Sequence, residues 1–245
     1  MKKIQVILGL ILITASLGFV SCDNDDDYDR VMSALVTVKT DASGNTYFQV
    51  DKNTVVYPEN IRGTIFGGKE VRALTQYEID DDDRVGNGME VEVLWVDSIL
   101  TKPAIRTYGD GVDSQYGHDA LEIVRHWTTV AEDGYVTLRF LTQWGYPVTS
   151  HRVTLVGGVN PNEPFEFDFR HNANGDLGGR LQEGIVAFNI KEFIEEAGET
   201  PKYIILNYDS YEGRKQITLP YDPLPLSATV NAQQMKSVMA SNAVE

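Results

Sequence analysis

Apolar residues in this chain recur at every second position, in short runs. From Glu90 to Ser98, Val91, Val93 and Trp95 alternate with Glu90, Glu92 and Leu94, continuing the parity of Met89. From Phe165 to Arg170, Phe165, Phe167 and Phe169 alternate with Glu166, Asp168 and Arg170. A period of two puts one set of side chains on one face of an extended strand and the other set on the opposite face. Each run stops early at a turn cluster such as Asp41-Ala42-Ser43-Gly44-Asn45, Glu132-Asp133-Gly134 or Ser210-Tyr211-Glu212-Gly213. Those residues supply the left-handed conformations and local hydrogen bonds that reverse a chain. The pattern restricts the folded part to sheets joined by tight turns.

Strands are expected at Leu35–Thr40, Thr46–Val50, Ile61–Gly68 with a glycine kink, Val71–Asp80 and Glu90–Ser98, with a further short apolar piece at Thr54–Tyr57. About five strands in some 70 residues suit a small closed barrel of the OB type. Thr101–Gly111 holds Pro103 and Gly109-Asp110-Gly111, keeps no period and reads as a boundary. Strands resume at Leu121–Val130, Tyr135–Gln143, Ser150–Val156, Phe165–Arg170 and Ile185–Ile190, and Tyr203–Tyr208 with Arg214–Leu219 makes a final hairpin. About seven strands in roughly 115 residues suit a β-sandwich. Lys191–Ala197 is the one helical pattern, with Phe193, Ile194 and Ala197 on one face and Gly198 placed as a C-cap. The expected fold class is therefore all-β: a small N-terminal OB-type barrel followed by a C-terminal β-sandwich with one short helix.

The first thirty residues say where the chain goes. Lys2 and Lys3 precede an apolar run from Ile4 to Val20, and Ser21 precedes Cys22, the single cysteine of the 245 residues. A basic start, an apolar core and a small residue at the cut mark a secretory signal. A retained transmembrane anchor is the alternative, since a run of about 17 residues is at the lower limit for a bilayer. Ser21-Cys22 favours cleavage before a cysteine that takes a lipid. A lone cysteine in an exported chain has no internal disulfide partner. Phe19-Val20-Ser21-Cys22 departs from the strict lipoprotein box in its bulky residues at 19 and 20, and resembles the relaxed boxes of Bacteroides-group lipoproteins. The acidic stretch Asp23 to Asp29 resembles their surface-export signal, and it also serves as a solvated tether. The expected divisions are 1–21 signal peptide, 22–32 acidic tether, 33–102 OB-type barrel, 103–226 β-sandwich and 227–245 polar tail. The expected location is the outer membrane, held by lipid on Cys22, with exposure at the cell surface a further step.

Loss of residues 1–21 removes Lys2 and Lys3 from 21 basic residues and none of the 36 acids, which leaves a formal charge of −17. Nucleic acid and anionic headgroups repel such a surface, so no nucleic-acid partner is expected.

Candidate chemistry is sparse. His118, His126, His151 and His171 have no i, i+4 pair and read as scattered, so no metal centre is expected. No Gly-x-Ser-x-Gly elbow supports a nucleophilic triad. Asp80–Asp83 and Asn172–Asp176 offer hard oxygens that suit calcium, but neither fits the EF-hand spacing. Trp127, Trp144 and Tyr146, with Tyr108 and Tyr116, are candidates for a stacking platform for sugar rings or a peptide. The competing reading packs both tryptophans into the sandwich core.

Taken together, the signal and leash, the five-strand piece ending in Glu90-Val91-Glu92-Val93-Leu94-Trp95-Val96 and the sandwich with Tyr203-Ile204-Ile205-Leu206-Asn207-Tyr208 near its end resemble the NigD-like family of lipoproteins. The resemblance implies an N-terminal OB-type domain and a C-terminal β-sandwich over nearly the whole mature chain. It implies no established activity and no cofactor; the family name comes from an association with a bacteriocin operon. The functional expectation is a non-enzymatic, membrane-anchored protein that binds a protein or glycan partner. A glycan-binding accessory protein and an extracellular hydrolase are the alternatives.

Overall fold

The computed structural model describes residues 31–79, 84–85, 88–107, 112–145 and 149–222. The first module contains β1 (Val31–Thr40), β2 (Thr46–Gln49), β3 (Val55–Pro58), β4 (Val71–Glu78), β5 (Arg84–Val85) and β6 (Gly88–Ser98). The strands run in the order β3-β2-β1-β4-β6, with β5 on the outside of β6, and a parallel pairing of β3 with β6 closes the sheet on itself. Closure removes the free edges that would otherwise recruit other chains. Ala34, Val36, Val38, Phe48, Val56, Ala73, Tyr77, Val91 and Val93 fill the interior. In β6 the alternation falls as expected up to Val93, with Val91 and Val93 buried and Glu92 exposed; a bulge at Leu94 then switches faces, so that Val96 packs on the barrel core and Trp95, expected there, packs on the cluster of Leu35 and Ile185.

One further expectation for this half changes. Ile61–Gly68 is not a strand: Phe66–Gly68 forms a 3₁₀ turn. Phe66, Gly67 and Gly68 all have positive φ, at 52°, 68° and 71°, and an extended strand cannot run through left-handed backbone. The acids 80–83 lie outside the described residues.

The boundary segment is itself built into a sheet. β7 (Thr101–Pro103) pairs in parallel with β14 (Arg180–Asn189), and β8 (Ile105–Arg106) pairs in parallel with β12 (Arg152–Gly157). The linker thus crosses from one sheet of the sandwich to the other. Between them in sequence come α1 (Val112–Tyr116), β9 (Glu122–Ile123), β10 (Val130–Glu132) and β11 (Tyr135–Trp144); β13 (Glu166–Asn172) precedes β14, and α2 (Lys191–Ala197), β15 (Tyr203–Ser210) and β16 (Gly213–Pro220) follow it. One sheet runs β10-β11-β14-β7 with β9 also on β11; the other runs β16-β15-β13-β12-β8. Phe169 meets Phe140 and Phe188 edge-on at ring distances of 5.6 and 5.9 Å, joining the two sheets. Phe167 meets Phe193 of α2 at 5.0 Å. Gly198 closes α2 in the left-handed conformation, its N–H donating to the carbonyls of Ile194 and Glu195.

The expected single helix is joined by α1. The expected strand Leu121–Val130 shrinks to β9, because its middle is pulled into a bend. The Thr129 hydroxyl donates to the Val124 carbonyl at 2.6 Å and the Thr129 N–H to the His126 carbonyl at 2.9 Å. Such local side-chain bonds compete with the ladder. The tail 227–245 lies outside the described residues.

The two modules share a seam. From Ala34 to Val38 every residue of β1 is buried, which a half-solvated strand does not allow. Ala34, Val36 and Val38 point into the barrel; Leu35, with Leu74 and Ile99, packs on Ile185 and Ala187 of the sandwich. At the centre of the seam Arg72, fully buried, donates from Nη1 to the Thr37 hydroxyl at 2.8 Å and from Nη2 to Glu132 of β10. Lys39 pairs with Asp133 at 2.8 Å, and the Tyr135 hydroxyl donates to Glu70 at 2.8 Å, with Lys191 pairing to the same carboxylate. Burial holds the Glu132 carboxyl above its usual range, and Arg72 opposes that.

Arg72→Ala strands the Glu132 carboxylate in the seam, and removing one partner of a buried pair costs about 3–5 kcal/mol. Denaturant unfolding should show that loss for Arg72→Ala and less for the double variant Arg72→Met/Glu132→Leu, which removes both charges. The sign with pH follows from the raised carboxyl: the folded state holds the Glu132 proton more tightly than the unfolded chain. The Arg72→Ala deficit should therefore grow as pH rises through the carboxylate range and shrink as it falls.

Candidate functional site

The aromatic platform expected from Trp127, Trp144 and Tyr146 does not assemble from its two tryptophans. Trp144, at the end of β11, is 1% exposed and belongs to the sandwich core. Trp127 is half-buried and packs on the apolar cluster of the seam. Tyr146 and Tyr108 lie outside the described residues, as does the lipidation candidate Cys22.

A partly exposed aromatic pair lies on the barrel instead. Tyr47 of β2 and Tyr57 of β3 have ring centroids 6.2 Å apart, and Tyr57 is 42% exposed. Tyr57 lies across Gly88 of the parallel partner strand: a Cβ there would meet the Tyr57 ring at 2.4 Å. The glycine thus lets the ring sit down on the sheet. Sequence parity carries this pair, since Phe48 and Val56 face inward and their neighbours Tyr47 and Tyr57 must face out.

The histidines were expected to be scattered, and two of them meet. His151 Nδ1 and His171 Nε2 are 2.9 Å apart, with His151 fully buried and His171 2% exposed. Val153 pairs with His171 across β12 and β13. The alternation that sends Phe165, Phe167 and Phe169 inward reaches His171 two residues later, and that of Val153 and Leu155 reaches His151. Parity alone therefore marks both imidazoles as inward-facing.

Hydrogen-bond bookkeeping assigns the protons. His171 Nδ1 lies 3.3 Å from the Asp119 carbonyl, which can only accept, so Nδ1 carries the hydrogen. His171 Nε2 then accepts from His151 Nδ1–H. In the neutral pair His151 Nε2 has no partner of good hydrogen-bond geometry, and the Asp176 Oδ2 carboxylate 3.5 Å away favours a proton on that nitrogen. The indole of Trp144 stacks on the His151 ring at 4.6 Å and 20°. Asp176 accepts the Gly145 N–H on both oxygens at 2.9 and 3.0 Å, and that bond holds its carboxyl below the usual range. Asp119 accepts the Ala173 N–H at 2.8 Å and donates its own N–H to the His171 carbonyl at 2.9 Å. Burial pulls both imidazoles below the ordinary histidine value, His171 to about 4, with the charge of His151 adding to the effect there. His118 and His126 do not join the cluster; His126 Nδ1 is 3.1 Å from the Thr128 hydroxyl.

The calcium reading of Asn172–Asp176 finds those oxygens already committed, Asp176 to Gly145 and Asn172 Oδ1 to the Asn174 N–H at 2.8 Å. Among the described residues no three His, Cys, Asp or Glu side chains converge to hold a metal ion. The cluster ties backbone segments together out of reach of solvent.

Comparison with known proteins follows this division of the chain. A model described as the NigD-like N-terminal OB domain matches residues 35–99, and one described as the NigD-like C-terminal beta sandwich domain matches residues 104–221. The chain matches no curated protein. Among solved structures, a "Putative TOXIN related protein" from Parabacteroides distasonis is 28% identical, covers 78% of this chain and 93% of its own, and superposes with a TM-score of 0.63. A "Putative lipoprotein" from Bacteroides fragilis is 15% identical, covers 80% of this chain and 100% of its own, with a TM-score of 0.58. A NigD-like immunity protein from Bacteroides caccae is 16% identical, covers 77% and 92%, with a TM-score of 0.54. At these last two identities the likeness is one of fold. With an OB barrel and a β-sandwich in sequence order, each matched by its own family model, the chain belongs to the NigD-like family.

Proposed function

We propose that this protein is an exported lipoprotein, held at the outer membrane by lipid on Cys22, that works by binding a protein partner and not by catalysis. The observation that carries this reading is the shape of the attachment. Only residues 23–30 separate Cys22 from the first residue of β1, Val31. An extended chain of that length reaches about 30 Å. Several acyl chains on one N-terminus, each buried CH₂ contributing about 0.8 kcal/mol, hold such a body at the bilayer surface. The two modules are locked together by a buried ion pair and an apolar seam, and so would meet a partner as one preformed surface. The burial of the His151–His171 pair supports binding over hydrolysis. A relative described as a "Putative lipoprotein" supports the anchor. Relatives described as a "Putative TOXIN related protein" and a NigD-like immunity protein point to a toxin of the bacteriocin class as the partner. The charge of −17 after cleavage favours a basic face on that partner.

A second reading, glycan binding, is favoured by the Tyr47–Tyr57 pair. A half-exposed tyrosine ring can offer its face to the apolar side of a sugar.

Cys22→Ala should move the protein out of the membrane fraction, or leave an uncleaved precursor, and abolish palmitate labelling. Normal partitioning of that variant would remove the anchor. For the second reading, the mature chain on a glycan array should retain at least one glycan, and Tyr57→Ala should weaken that signal at least tenfold, since one stacked ring contributes on the order of 1–3 kcal/mol. Equal binding by both proteins, or by neither, would exclude the tyrosine platform.

A further inference from the structure

The two buried imidazoles differ in what they can do with a second proton. His171 has no position left for one. Its Nδ1–H is given to the Asp119 carbonyl, and its Nε2 faces the Nδ1–H of His151 at 2.9 Å. A proton on Nε2 would set two donors against each other where no water reaches. His151 keeps a free lone pair on Nε2, 3.5 Å from the Asp176 carboxylate, and its ring lies on the face of Trp144. A charge on His151 would find an anion and a π-face. A charge on His171 would find only a donor.

We propose that the His151–His171 pair is an acid-sensitive clasp, which in its uncharged form ties the 173–179 turn and the 117–120 segment to the end of β11 and releases them when His171 takes a proton.

Three backbone N–H groups close around the pair and define what it holds. Gly145 N–H reaches Asp176, Ala173 N–H reaches Asp119, and Asp119 N–H reaches the His171 carbonyl. They bring together the end of β11, the turn after β13 and the segment before β9. Among the described residues, the charged groups acting on the two rings are Asp119 and Asp176, with His151 itself acting on His171. Both acids favour the protonated rings, and burial outweighs them. His118 and Arg152, neighbours in sequence on the 117–120 segment and on β12, are exposed. Leu177, at the tip of the turn, is 63% exposed, so release of the turn frees an apolar side chain already in water.

The direction with pH is fixed by the depressed value of His171. In an opened segment the imidazole takes its proton near the ordinary value of 6.5, and in the closed clasp only near 4. The closed form is therefore fully favoured above about pH 6.5 and loses ground as pH falls toward about 4. The ratio of closed to open should fall about thirty-fold by pH 5 and about three-hundred-fold over the whole span.

The test uses the mature chain and amide-exchange protection factors read by NMR at pH 7.5 and pH 5.0. Protection of Asp119, Gly145 and Ala173 should fall more than tenfold, while Val36 and Ala73 in the barrel hold theirs. In His171→Gln, whose amide can donate to Asp119 and accept from His151 but takes no proton, the three amides should lose several-fold less protection at pH 5.0 than in the wild type, the remainder coming from His151. A wild-type chain whose three amides stay protected at pH 5.0, or a His171→Gln chain that loses protection as the wild type does, would overturn the clasp. Should His171→Gln fail to fold, the wild-type His171 ring decides: the clasp predicts an Nδ1–H tautomer that titrates well below 6, and a ring titrating near 6.5 with the amides still protected overturns it.

Discussion

The burial of Arg72 is the constraint on which the arrangement of the two modules rests. A guanidinium out of water is costly unless its donors are used. Its position supplies acceptors to both terminal nitrogens, Thr37 from the barrel and Glu132 from the sandwich, and leaves Nε without a hydrogen bond. Neither module offers both. The apolar contacts of Leu35, Leu74 and Ile99 with Ile185 and Ala187 shield the pair and raise what is lost by breaking it. The seam therefore has a particular register as well as an affinity: a slide of one residue along β1 would turn Thr37 away and leave the cation without its neutral acceptor.

The same logic explains why the linker is a strand. β7 begins at Thr101, whose hydroxyl accepts the Arg72 N–H at 3.0 Å, and its backbone joins β14 in parallel. A free connection would allow hinge motion between the modules. A connection that is itself a rung of the sandwich sheet transmits orientation from one body to the other. The N–H groups of Ala187 and Ala104, bonded to the carbonyls of Leu100 and Asn189, fix the strand at both ends.

Much of this was legible in the sequence because a period of two is a direct reading of sheet faces. The alternation in β13 and in the first half of β6, the hairpin across Ser210–Gly213 and the C-cap at Gly198 all appear where side-chain pattern and turn chemistry place them, while a bulge turns Trp95 off its expected face. Two kinds of information were not legible. The first is long-range burial: nothing local in Leu35, Thr37 or Arg72 says that their face is covered by residues a hundred positions away. The second is local competition, as at Phe66–Gly68 and Val124–Thr129, where left-handed backbone or a threonine hydroxyl overrides a favourable strand composition. The histidine pair is an intermediate case. Its parity was present in the sequence, but a search for ligand spacing looks for neighbours along one element, and these rings approach from two adjacent strands.

The closed barrel would also have a mechanical meaning under the lipid tether we propose. Residues 23–30 enter the fold at Val31, and from Val31 to Val38 β1 is bonded antiparallel to β4 along its whole run, while its other edge holds β2 from Thr37 to Thr40. A pull along the strand from the N-terminal side loads those rungs together, in shear, so that none can be peeled off singly. Tension between an anchor and whatever the protein grips would then be borne by the middle of the barrel, with Arg72 on the neighbouring strand pinning that same strand pair to the second module.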